Sequence, residues 1–221
     1  MSVKIIVIQG NIGSGKSTFV ENLKHKYRTN PEMCFLQEPV SEWLNIKDEN
    51  GINILEKYYA DQHKYSFMFQ MMAYISRLSI IKRAIESGKY KYIITERCLN
   101  TDRKVFCKML YDDGFIEKIG YDIYNKWFDE FNQFQNIEYF HIYIRTKPIT
   151  SKLRVDKRAR KEETIPIEYL EKCHKYHDEW LYKLETTDNY VILIDGNVDI
   201  ITNPEILDTW YDKFELILTI P

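Results

Sequence analysis

The residues from Gly10 to Ser17 have the types and the spacing of a phosphate-binding loop. They fit the pattern G-x-x-x-x-G-K-[ST], in which glycines let backbone N–H groups turn inward and cradle phosphate oxygens. Lys16 is expected to reach the outer phosphates, and the Ser17 hydroxyl is expected to coordinate Mg²⁺. The residues expected to hold the nucleotide here are Gly10, Asn11, Ile12, Gly13, Ser14, Gly15, Lys16, Ser17 and Thr18. The pattern therefore predicts binding of ATP or another nucleoside triphosphate.

Three later residues have the chemistry that the acceptor side of a phosphoryl transfer needs. Glu38 follows a short apolar run and is a candidate general base, because the reaction needs an acceptor oxygen in line and a group that takes its proton. Glu96 follows another such run, where P-loop folds usually hold Mg²⁺. Arg97 would then face the transferring phosphoryl group. The alternative for Arg97 is a structural ion pair with Glu96 or Glu38.

Three arginines, Arg154, Arg158 and Arg160, form a cationic segment after the fourth apolar run. Such a segment is typical of a lid (residues 152–165) that closes over the phosphates and excludes water. Its guanidinium groups would bind the donor, and Arg158 would stabilise the charge of the transition state. The alternative is a solvated helix face with ion pairs, which describes most charge runs.

Short β-branched runs alternate with longer helical patterns along the chain, which indicates an α/β fold. The predicted strands are Val3–Gln9, Met33–Gln37, Tyr90–Thr95, Tyr139–Ile144 and Tyr190–Ile194. Because these runs are almost entirely apolar, we expect a P-loop NTPase fold with a five-stranded parallel sheet flanked by helices. A long helix is predicted from about His63 to Glu86, with Gly88 at its end. In this fold Glu38 and Glu96 stand at strand ends, where open α/β sheets bind their ligands.

Composition and charge restrict the class of substrate. The chain has 221 residues, 44% of them hydrophobic, so a single domain over residues 1–221 is expected. A net charge of -2 without blocks of like charge argues against a nucleic-acid polymer as partner. The four cysteines lack metal or disulfide spacing, and no apolar run approaches the about 18 residues that span a bilayer. We therefore expect a small substrate and a cytoplasmic protein with no membrane partner and no targeting signal.

Five ordered motifs extend this interpretation. They are GNIGSGKSTFV at Gly10–Val20, EPVSEW at Glu38–Trp43, YSFMFQ at Tyr65–Gln70, ERCLNTDRKVF at Glu96–Phe106, and RARKEETIPIEYLEKCHKYHDEWL at Arg158–Leu181. On these motifs nearly the whole chain resembles the deoxyribonucleoside kinases, which include deoxycytidine, deoxyguanosine and mitochondrial-type thymidine kinases and the insect deoxynucleoside kinase. The resemblance implies transfer of the γ-phosphate of a nucleoside triphosphate to the 5′-hydroxyl of a deoxyribonucleoside, in nucleotide salvage. Glu38 would be the base and Arg97 its electrostatic partner.

The resemblance also implies which side chains surround the deoxynucleoside. They are Glu38, Trp43, Tyr59, Phe69, Gln70, Arg77, Arg97, Asp102, Phe106 and Glu163. Gln70 would pair with the edge of the base, because a carboxamide offers a donor and an acceptor together. Trp43 and the two phenylalanines would form an aromatic slot for the base. Tyr59 and Glu163 would bind the 3′-hydroxyl, with Glu162 as a rival for Glu163.

Arg77 and Asp102 match the Arg–Asp pair of deoxycytidine- and deoxyguanosine-type members of that family. Such a pair leaves little room for a 5-methyl group and offers polar contacts to amino or carbonyl substituents. Deoxycytidine and purine deoxynucleosides are therefore the expected acceptors. The alternatives are a thymidine-accepting enzyme, and an ion pair that merely fastens the long helix to the segment after Arg97.

Further expectations rest on the same resemblance. The family commonly forms homodimers through helices of the kind that carries Gln70, and a deoxynucleoside triphosphate is a candidate feedback inhibitor that would span both sites. Asp195 is expected near the donor base. Cys98 stands where the family commonly has Ser, and a thiol there is expected to be sensitive to oxidation.

Two rival functions remain at this stage. A thymidylate-type nucleoside monophosphate kinase shares the fold and the lid, but it needs extra cations around the acceptor phosphate. A non-catalytic nucleotide-binding protein would keep Glu38, Glu96 and Arg97 without using them.

Overall fold

One parallel sheet forms the centre of the molecule and places the phosphate-binding loop in its middle. The computed structural model describes residues 2–160, 164–185 and 190–220. The strands are β1 (Val3–Gln9), β2 (Met33–Leu36), β3 (Tyr92–Glu96), β4 (Ile137–Arg145) and β5 (Tyr190–Asp195). Their order is β2-β3-β1-β4-β5, and all neighbours run parallel. The predicted α/β fold with five parallel strands is confirmed, and each strand ends within two residues of its predicted boundary.

Helices connect the strands and cover the sheet. They are α1 (Lys16–Lys26), α2 (Val40–Asn45), α3 (Ile54–Ala60), α4 (Gln62–Glu86), α5 (Leu99–Thr101), α6 (Lys108–Asp112), α7 (Lys118–Phe131), α8 (Pro148–Arg158), α9 (Ile167–Glu185) and α10 (Pro204–Thr219). A π-helical segment (Asp102–Cys107) joins α5 to α6, and such segments are frequent at functional sites. None of the helices in the described part of the chain combines the length and the apolarity that crossing a membrane requires.

The central strand β1 is buried on both of its faces. Ile5 and Val7 point into a core with α4 and α7, whereas Ile6 and Ile8 point into a core with α1 and α10. All four side chains are fully buried. Burial on both faces explains why the strands are continuous apolar runs rather than alternating ones.

Helix α4 is the predicted long helix and begins one residue earlier than expected. The Asp61 carboxylate accepts a hydrogen bond from the N–H of Lys64 and caps its first turn. Gly88, at φ +62°, follows its last turn and donates its N–H to the carbonyl of Ile85. Its buried face recurs at steps of three and four residues and includes the polar residues Gln70 and Arg77. These two polar residues occur on the buried face because their side chains line the cavity described next.

Candidate active site

A cavity of about 760 Å³ opens at the carboxyl ends of β1, β2 and β3. Most of the predicted site residues line it: Ile12, Gly13, Ser14, Gly15, Lys16, Ser17, Thr18, Glu38, Trp43, Tyr59, Phe69, Gln70, Arg77, Glu96, Arg97, Asp102, Phe106, Arg154, Arg158 and Arg160. Gly10, Asn11 and Asp195 lie outside this lining, and Glu162 and Glu163 lie outside the described residues. Residues from the two ends of the chain and its middle therefore meet in one cavity.

The phosphate-binding loop leads from β1 into α1 through three glycines with positive φ, the first of which is Gly10 at φ +147°. Gly13 has φ +77° and Gly15, the N-cap residue of α1, has φ +100°. Among the described residues, no side chain caps this end of α1. The first N–H groups of the helix are therefore available to an anion, and the helix dipole favours negative charge there.

Two residues predicted to bind the nucleotide, Gly10 and Asn11, also build the loop. Gly10 approaches β4 so closely that a Cβ would lie 2.6 Å from the carbonyl oxygen of Ile144. Asn11 donates from its side-chain amide to the carbonyl of Leu170, 2.8 Å away, and its own carbonyl accepts from Lys16 Nζ. Asn11 thus fastens the loop to the first turn of α9.

Lys16 is almost completely buried beneath the loop. Its Nζ donates to the carbonyl of Asn11 at 2.8 Å and lies 3.9 Å from Glu96 Oε1. Burial, aided by the nearby Arg97 guanidinium, lowers the pKa of Lys16 to about 7. A positive charge is thus poorly compensated here, and a bound anion would supply the missing compensation.

Ser17 and Glu96 are the residues that fit a magnesium ion. The Ser17 hydroxyl donates to Glu96 Oε1 at 2.8 Å, so two oxygens of the kinds that Mg²⁺ prefers stand side by side. The described residues contain no group of three His, Cys, Asp or Glu side chains that would hold a metal by themselves. This small protein contribution suits Mg²⁺, which is commonly bound by one or two protein oxygens together with phosphates and water.

Glu38 is held at the acceptor end of the cavity by two guanidinium groups. Its Oε1 accepts from Arg97 at 2.5 Å and from Arg77 at 2.9 Å. Burial alone would raise the pKa of Glu38, but Arg97, Arg77 and Lys16 outweigh it and lower the pKa to about 2. This environment favours the ionised form of Glu38, which is the form that a proton acceptor must have. The ion pair with Glu38, considered above as the alternative for Arg97, is present.

Arg97 adopts a left-handed backbone conformation with φ 61°. Its N–H donates to the carbonyl of Ile8, and its carbonyl accepts from the Thr95 hydroxyl. The guanidinium carbon lies 4.8 Å from the centre of the Phe106 ring. Its buried Nε has no hydrogen-bond acceptor among the described residues. A strained backbone and an unused buried donor are features that functional sites concentrate.

The acceptor end also contains aromatic rings and one unpaired amide. Trp43 meets Phe69 edge to face at a centroid distance of 5.4 Å. Gln70 is 2% exposed, and its carboxamide oxygen is buried without a hydrogen-bond donor among the described residues. An unsatisfied buried acceptor is costly unless a ligand supplies the donor. The end therefore suits a flat polar ring such as a nucleobase.

Tyr58 and Tyr169 line the same cavity, and the sequence did not reveal them as site residues. The Tyr58 ring stacks on Phe69 at 4.6 Å, and its hydroxyl lies 2.9 Å from that of Tyr169. Leu55 and Tyr58 are three residues apart in α3, and both are buried. Helical spacing relative to Leu55 was the available signal for Tyr58.

The three arginines of the predicted lid, Arg154, Arg158 and Arg160, also line the cavity. Arg154 donates to the carbonyls of Gly196 at 2.7 Å and Val198 at 3.1 Å, so it fastens the loop after β5 to α8. The carboxylate of Asp195, which is predicted to lie near the donor base, accepts from the backbone and side-chain N–H groups of Asn197. Asp195 shapes its own turn because a short polar side chain readily bonds the backbone two residues ahead.

The expected sensitivity of Cys98 to oxidation is also not supported. Cys98 is 2% exposed, and burial raises the pKa of its thiol. The thiolate is the reactive form, so this environment protects the residue.

Comparison with known proteins agrees with the geometry. The sequence model of the deoxynucleoside kinase family matches residues 6–216. Deoxycytidine kinase 1 of Xenopus laevis is 34% identical, over 98% of this chain and 91% of that protein. Human mitochondrial thymidine kinase 2 is 33% identical over 81% of this chain and 64% of that protein. Mitochondrial deoxyguanosine kinase of Xenopus laevis is 31% identical over 84% and 76%.

The family match begins within β1 and covers β2 to β5, the phosphate-binding loop, and the segments that carry Glu38, Arg97 and the arginines of α8. Similarity to the deoxycytidine kinase extends over nearly the full length of both proteins. The chain therefore belongs to the deoxynucleoside kinase family.

Proposed function

We propose that this phosphotransferase moves the terminal phosphoryl group of ATP, or of another nucleoside triphosphate, to the 5′-hydroxyl of deoxycytidine or a purine deoxynucleoside. The observation that carries the proposal is the Glu38 carboxylate, which is held by Arg97 and Arg77 and shares one cavity with the phosphate-binding loop. A phosphate cradle beside a carboxylate that accepts a proton is what transfer to a neutral hydroxyl requires.

At the donor end, the N–H groups of the loop and Lys16 would bind the phosphates. Arg158 and Arg160 also line this cavity and would neutralise charge on the transferring phosphoryl group. We propose that they do so as part of a lid over residues 152–165 and that the chain works as one catalytic domain. Arg154 would act indirectly, because its guanidinium holds the loop at Gly196 and Val198.

Magnesium would be held by the Ser17 hydroxyl and the Glu96 carboxylate, which already lie side by side. A magnesium ion held there would supply positive charge that offsets part of the charge of the phosphates.

At the acceptor end, Glu38 would accept the proton of the 5′-hydroxyl as that oxygen attacks the phosphorus. Gln70 would bond the edge of the base, because its carboxamide oxygen lacks a donor among the described residues. Tyr59 lines the cavity beside Tyr58 and would contact the 3′-hydroxyl. The sugar and the base would thus be fixed by separate side chains.

Base preference is proposed to depend on Arg77 and Asp102. Arg77 Nε donates to Asp102 Oδ2 at 2.8 Å, and both residues line the cavity. A buried charged pair offers hydrogen bonds to amino and carbonyl groups but not to a methyl group. Cytosine and purine bases are therefore favoured over thymine.

A monophosphate acceptor is disfavoured by the charges at this end of the cavity. Arg77 and Arg97 are both bonded to carboxylates, namely Asp102 and Glu38. An acceptor phosphate would have to compete with those carboxylates and would stand close to Glu38 itself.

We further propose a homodimer formed through α4 and α7. Helix α7 exposes an apolar stripe at four-residue steps, made of Ile119, Ile123, Trp127 and Phe131. Helix α4, which packs on α7 through Tyr74 and Tyr124, exposes Met68 and Ile75. Exposed apolar surface of this kind is typical of an interface.

A deoxynucleoside triphosphate is proposed as feedback inhibitor. One cavity contains both the phosphate-binding loop and the proposed base slot, so a single such molecule would reach both. Inhibition no stronger than that by an unrelated nucleotide would contradict this part of the proposal.

The deciding experiment is phosphate transfer from ATP with Mg²⁺ to deoxycytidine, deoxyguanosine, deoxyadenosine, thymidine, cytidine and deoxynucleoside monophosphates. We expect 5′-monophosphates from deoxycytidine or the purine deoxynucleosides, and a loss of roughly 10²- to 10⁴-fold in kcat for Glu38→Gln. Glu42→Gln, in the same motif but exposed, is the matched control and should retain full activity. Preferred thymidine would contradict only the base preference, whereas reaction of monophosphates alone would contradict the proposed function.

A further inference from the structure

The first turn of α9 contacts the acceptor wall and the phosphate-binding loop through two consecutive residues. The Tyr169 hydroxyl lies 2.9 Å from that of Tyr58, whose ring stacks on Phe69 in the wall of the cavity. The carbonyl of Leu170 accepts from the side-chain amide of Asn11 at 2.8 Å. Because Tyr169 and Leu170 belong to one helical turn, a displacement of one residue displaces the other.

Both contacts are protected from water. Tyr58 is 1% exposed and Asn11 is 2% exposed. A buried polar group that loses its hydrogen bond is costly, so these contacts resist being broken. Apolar packing supports the same connection, because Ile12 of the phosphate-binding loop packs against the cluster that contains Leu170. The acceptor wall and the loop are therefore connected without a gap.

The loop end of this connection is sensitive to phosphate through Lys16. Lys16 Nζ donates to the carbonyl of Asn11 at 2.8 Å, and the side-chain oxygen of Asn11 accepts from the N–H of Ile12. Phosphate oxygens at the donor end would compete with that carbonyl for the ammonium group. A bound donor would thus alter the contacts of Asn11, and the amide of Asn11 transmits the change to Leu170.

The acceptor end of the connection is sensitive to the nucleoside through two aromatic rings. Tyr58 and Phe69 stack with a centroid distance of 4.6 Å, and both line the part of the cavity proposed to bind the base. A flat base that packs on this pair would restrict the motion of both rings. Since the Tyr58 hydroxyl meets that of Tyr169, the restriction extends to the first turn of α9.

We propose that Tyr169 is a positioning residue that joins the two ends of the cavity, so that donor and acceptor bind with positive cooperativity. The inference rests on the proposed function and adds how the two substrates affect each other. Each ligand orders one contact of the same helical turn, so the ligand that binds second meets a turn that is already ordered. Couplings between sites typically change affinity about 5- to 150-fold, and the factor is the same in both directions.

The test measures the dissociation constant of the acceptor with and without a donor that cannot react. The donor is the β,γ-imido analogue of ATP with Mg²⁺, and the acceptor is the deoxynucleoside that the wild-type protein phosphorylates. Isothermal titration calorimetry should show the acceptor bound at least about fivefold more tightly when the analogue is saturating. In Tyr169→Phe, which removes only the hydroxyl, this ratio should fall below about twofold.

Two further variants show whether the hydroxyl pair itself carries the coupling. Tyr176→Phe is the matched control in the same helix, because the Tyr176 hydroxyl bonds Asp112 Oδ2 at 2.6 Å and lies outside the cavity lining. The ratio should keep its wild-type value in this variant. Tyr58→Phe breaks the bond to Tyr169 from the other side and should lower the ratio equally. The double variant Tyr58→Phe with Tyr169→Phe should show no further loss, because both changes remove one bond.

Steady-state kinetics distinguishes this role from a role in the chemical step. Because the coupling acts on binding, the KM of the acceptor at saturating ATP should rise at least about threefold in Tyr169→Phe, whereas kcat should change less than about twofold. A fall in kcat with unchanged KM would overturn the inference. So would a ratio that keeps its wild-type value in Tyr169→Phe, or one that falls equally in Tyr176→Phe.

The inference and the proposed function fail in different ways. A ratio near one in a wild-type protein that phosphorylates deoxynucleosides would overturn the inference alone. Failure of the wild-type protein to phosphorylate any deoxynucleoside would overturn the proposed function, and the inference with it.

Discussion

Replacement of Gly13 by Ala tests how closely the phosphate-binding loop packs on α8, the helix that enters the proposed lid. A Cβ at Gly13 would lie 2.5 Å from the carbonyl oxygen of Ser151 and 3.0 Å from Val155 Cγ2. To restore ordinary contact at 3.4 Å, the Ser151 backbone would have to move by about 0.9 Å (3.4 minus 2.5). The left-handed φ of +77° costs an alanine about 1–2 kcal/mol, and overpacking adds about 1–3 kcal/mol. We therefore expect the free energy of unfolding to fall by about 2–5 kcal/mol.

Gly114 provides the matched control, because its φ is +76° and no described atom lies within 4 Å of a Cβ built there. Gly114→Ala should lower the free energy of unfolding by only the about 1–2 kcal/mol of the backbone conformation. The effect of alanine on the unfolded chain is similar at both positions and cancels in the comparison. Urea denaturation measures the free energy of unfolding of both variants. A shift of α8 would also displace Arg154 and Arg158, so ATP titration should show an affinity loss of at least about tenfold for Gly13→Ala and none for Gly114→Ala. Equal destabilisation by the two substitutions would refute the reasoning.

Three further predictions concern the surface, the buried histidines and the buried thiol. Trp127→Glu places a charge in the exposed apolar stripe of α7 and should convert the proposed dimer to a monomer. Size-exclusion chromatography with light scattering would measure the molar mass, and an unchanged mass would contradict the proposed interface. Burial lowers the pKa of His141 to about 4 and, with the Arg97 charge, that of His177 to about 3, so below pH 6.5 the unfolded chain binds protons that the folded chain does not. Between pH 7 and pH 5, each of these two histidines should therefore lower the free energy of unfolding by roughly 2 kcal/mol, which urea denaturation at several pH values would measure. If the free energy of unfolding of His141→Asn depended on pH as steeply as that of the wild-type protein, this reasoning would be contradicted. Cys98 should resist alkylation by N-ethylmaleimide in the native protein and react on unfolding, whereas modification of the native thiol would mean that its site opens readily.

The sheet was predictable from the sequence because its strands are buried on both faces. Residues at successive positions of β1, such as Ile5 and Ile6, enter different cores, and each core demands an apolar side chain. Helix α4 was predictable because one face repeats apolar residues at helical spacing and Gly88 ends the pattern. Both signals are local, and no long-range contact is needed to recognise them.

The contacts of the site were less predictable, because they depend on where separate elements meet. The position of Arg154 in a cationic segment does not tell whether its guanidinium bonds a phosphate or backbone carbonyls. In the structure it donates to the carbonyls of Gly196 and Val198. The Asp195 carboxylate accepts a hydrogen bond from the N–H of Asn197 within its own turn. The position of Asp195 at the end of a strand does not predict this contact. The stacking of Tyr58 on Phe69 joins α3 to α4 and leaves no signature in either segment alone.

The position of Arg77 explains why base selection and catalysis would be difficult to alter separately in this protein. Its Nε bonds Asp102 on the side proposed for the base, and a terminal nitrogen of the same rigid fork bonds Glu38. A substitution at Arg77 that changes base preference therefore also removes one of the two guanidinium groups that bond the carboxylate proposed to accept the proton. The ring of Tyr58 lies on Phe69 and its hydroxyl meets Tyr169, and neither contact involves Glu38. A change of acceptor preference that preserves turnover is thus expected to arise at the Tyr58 wall of the cavity rather than at the buried arginine.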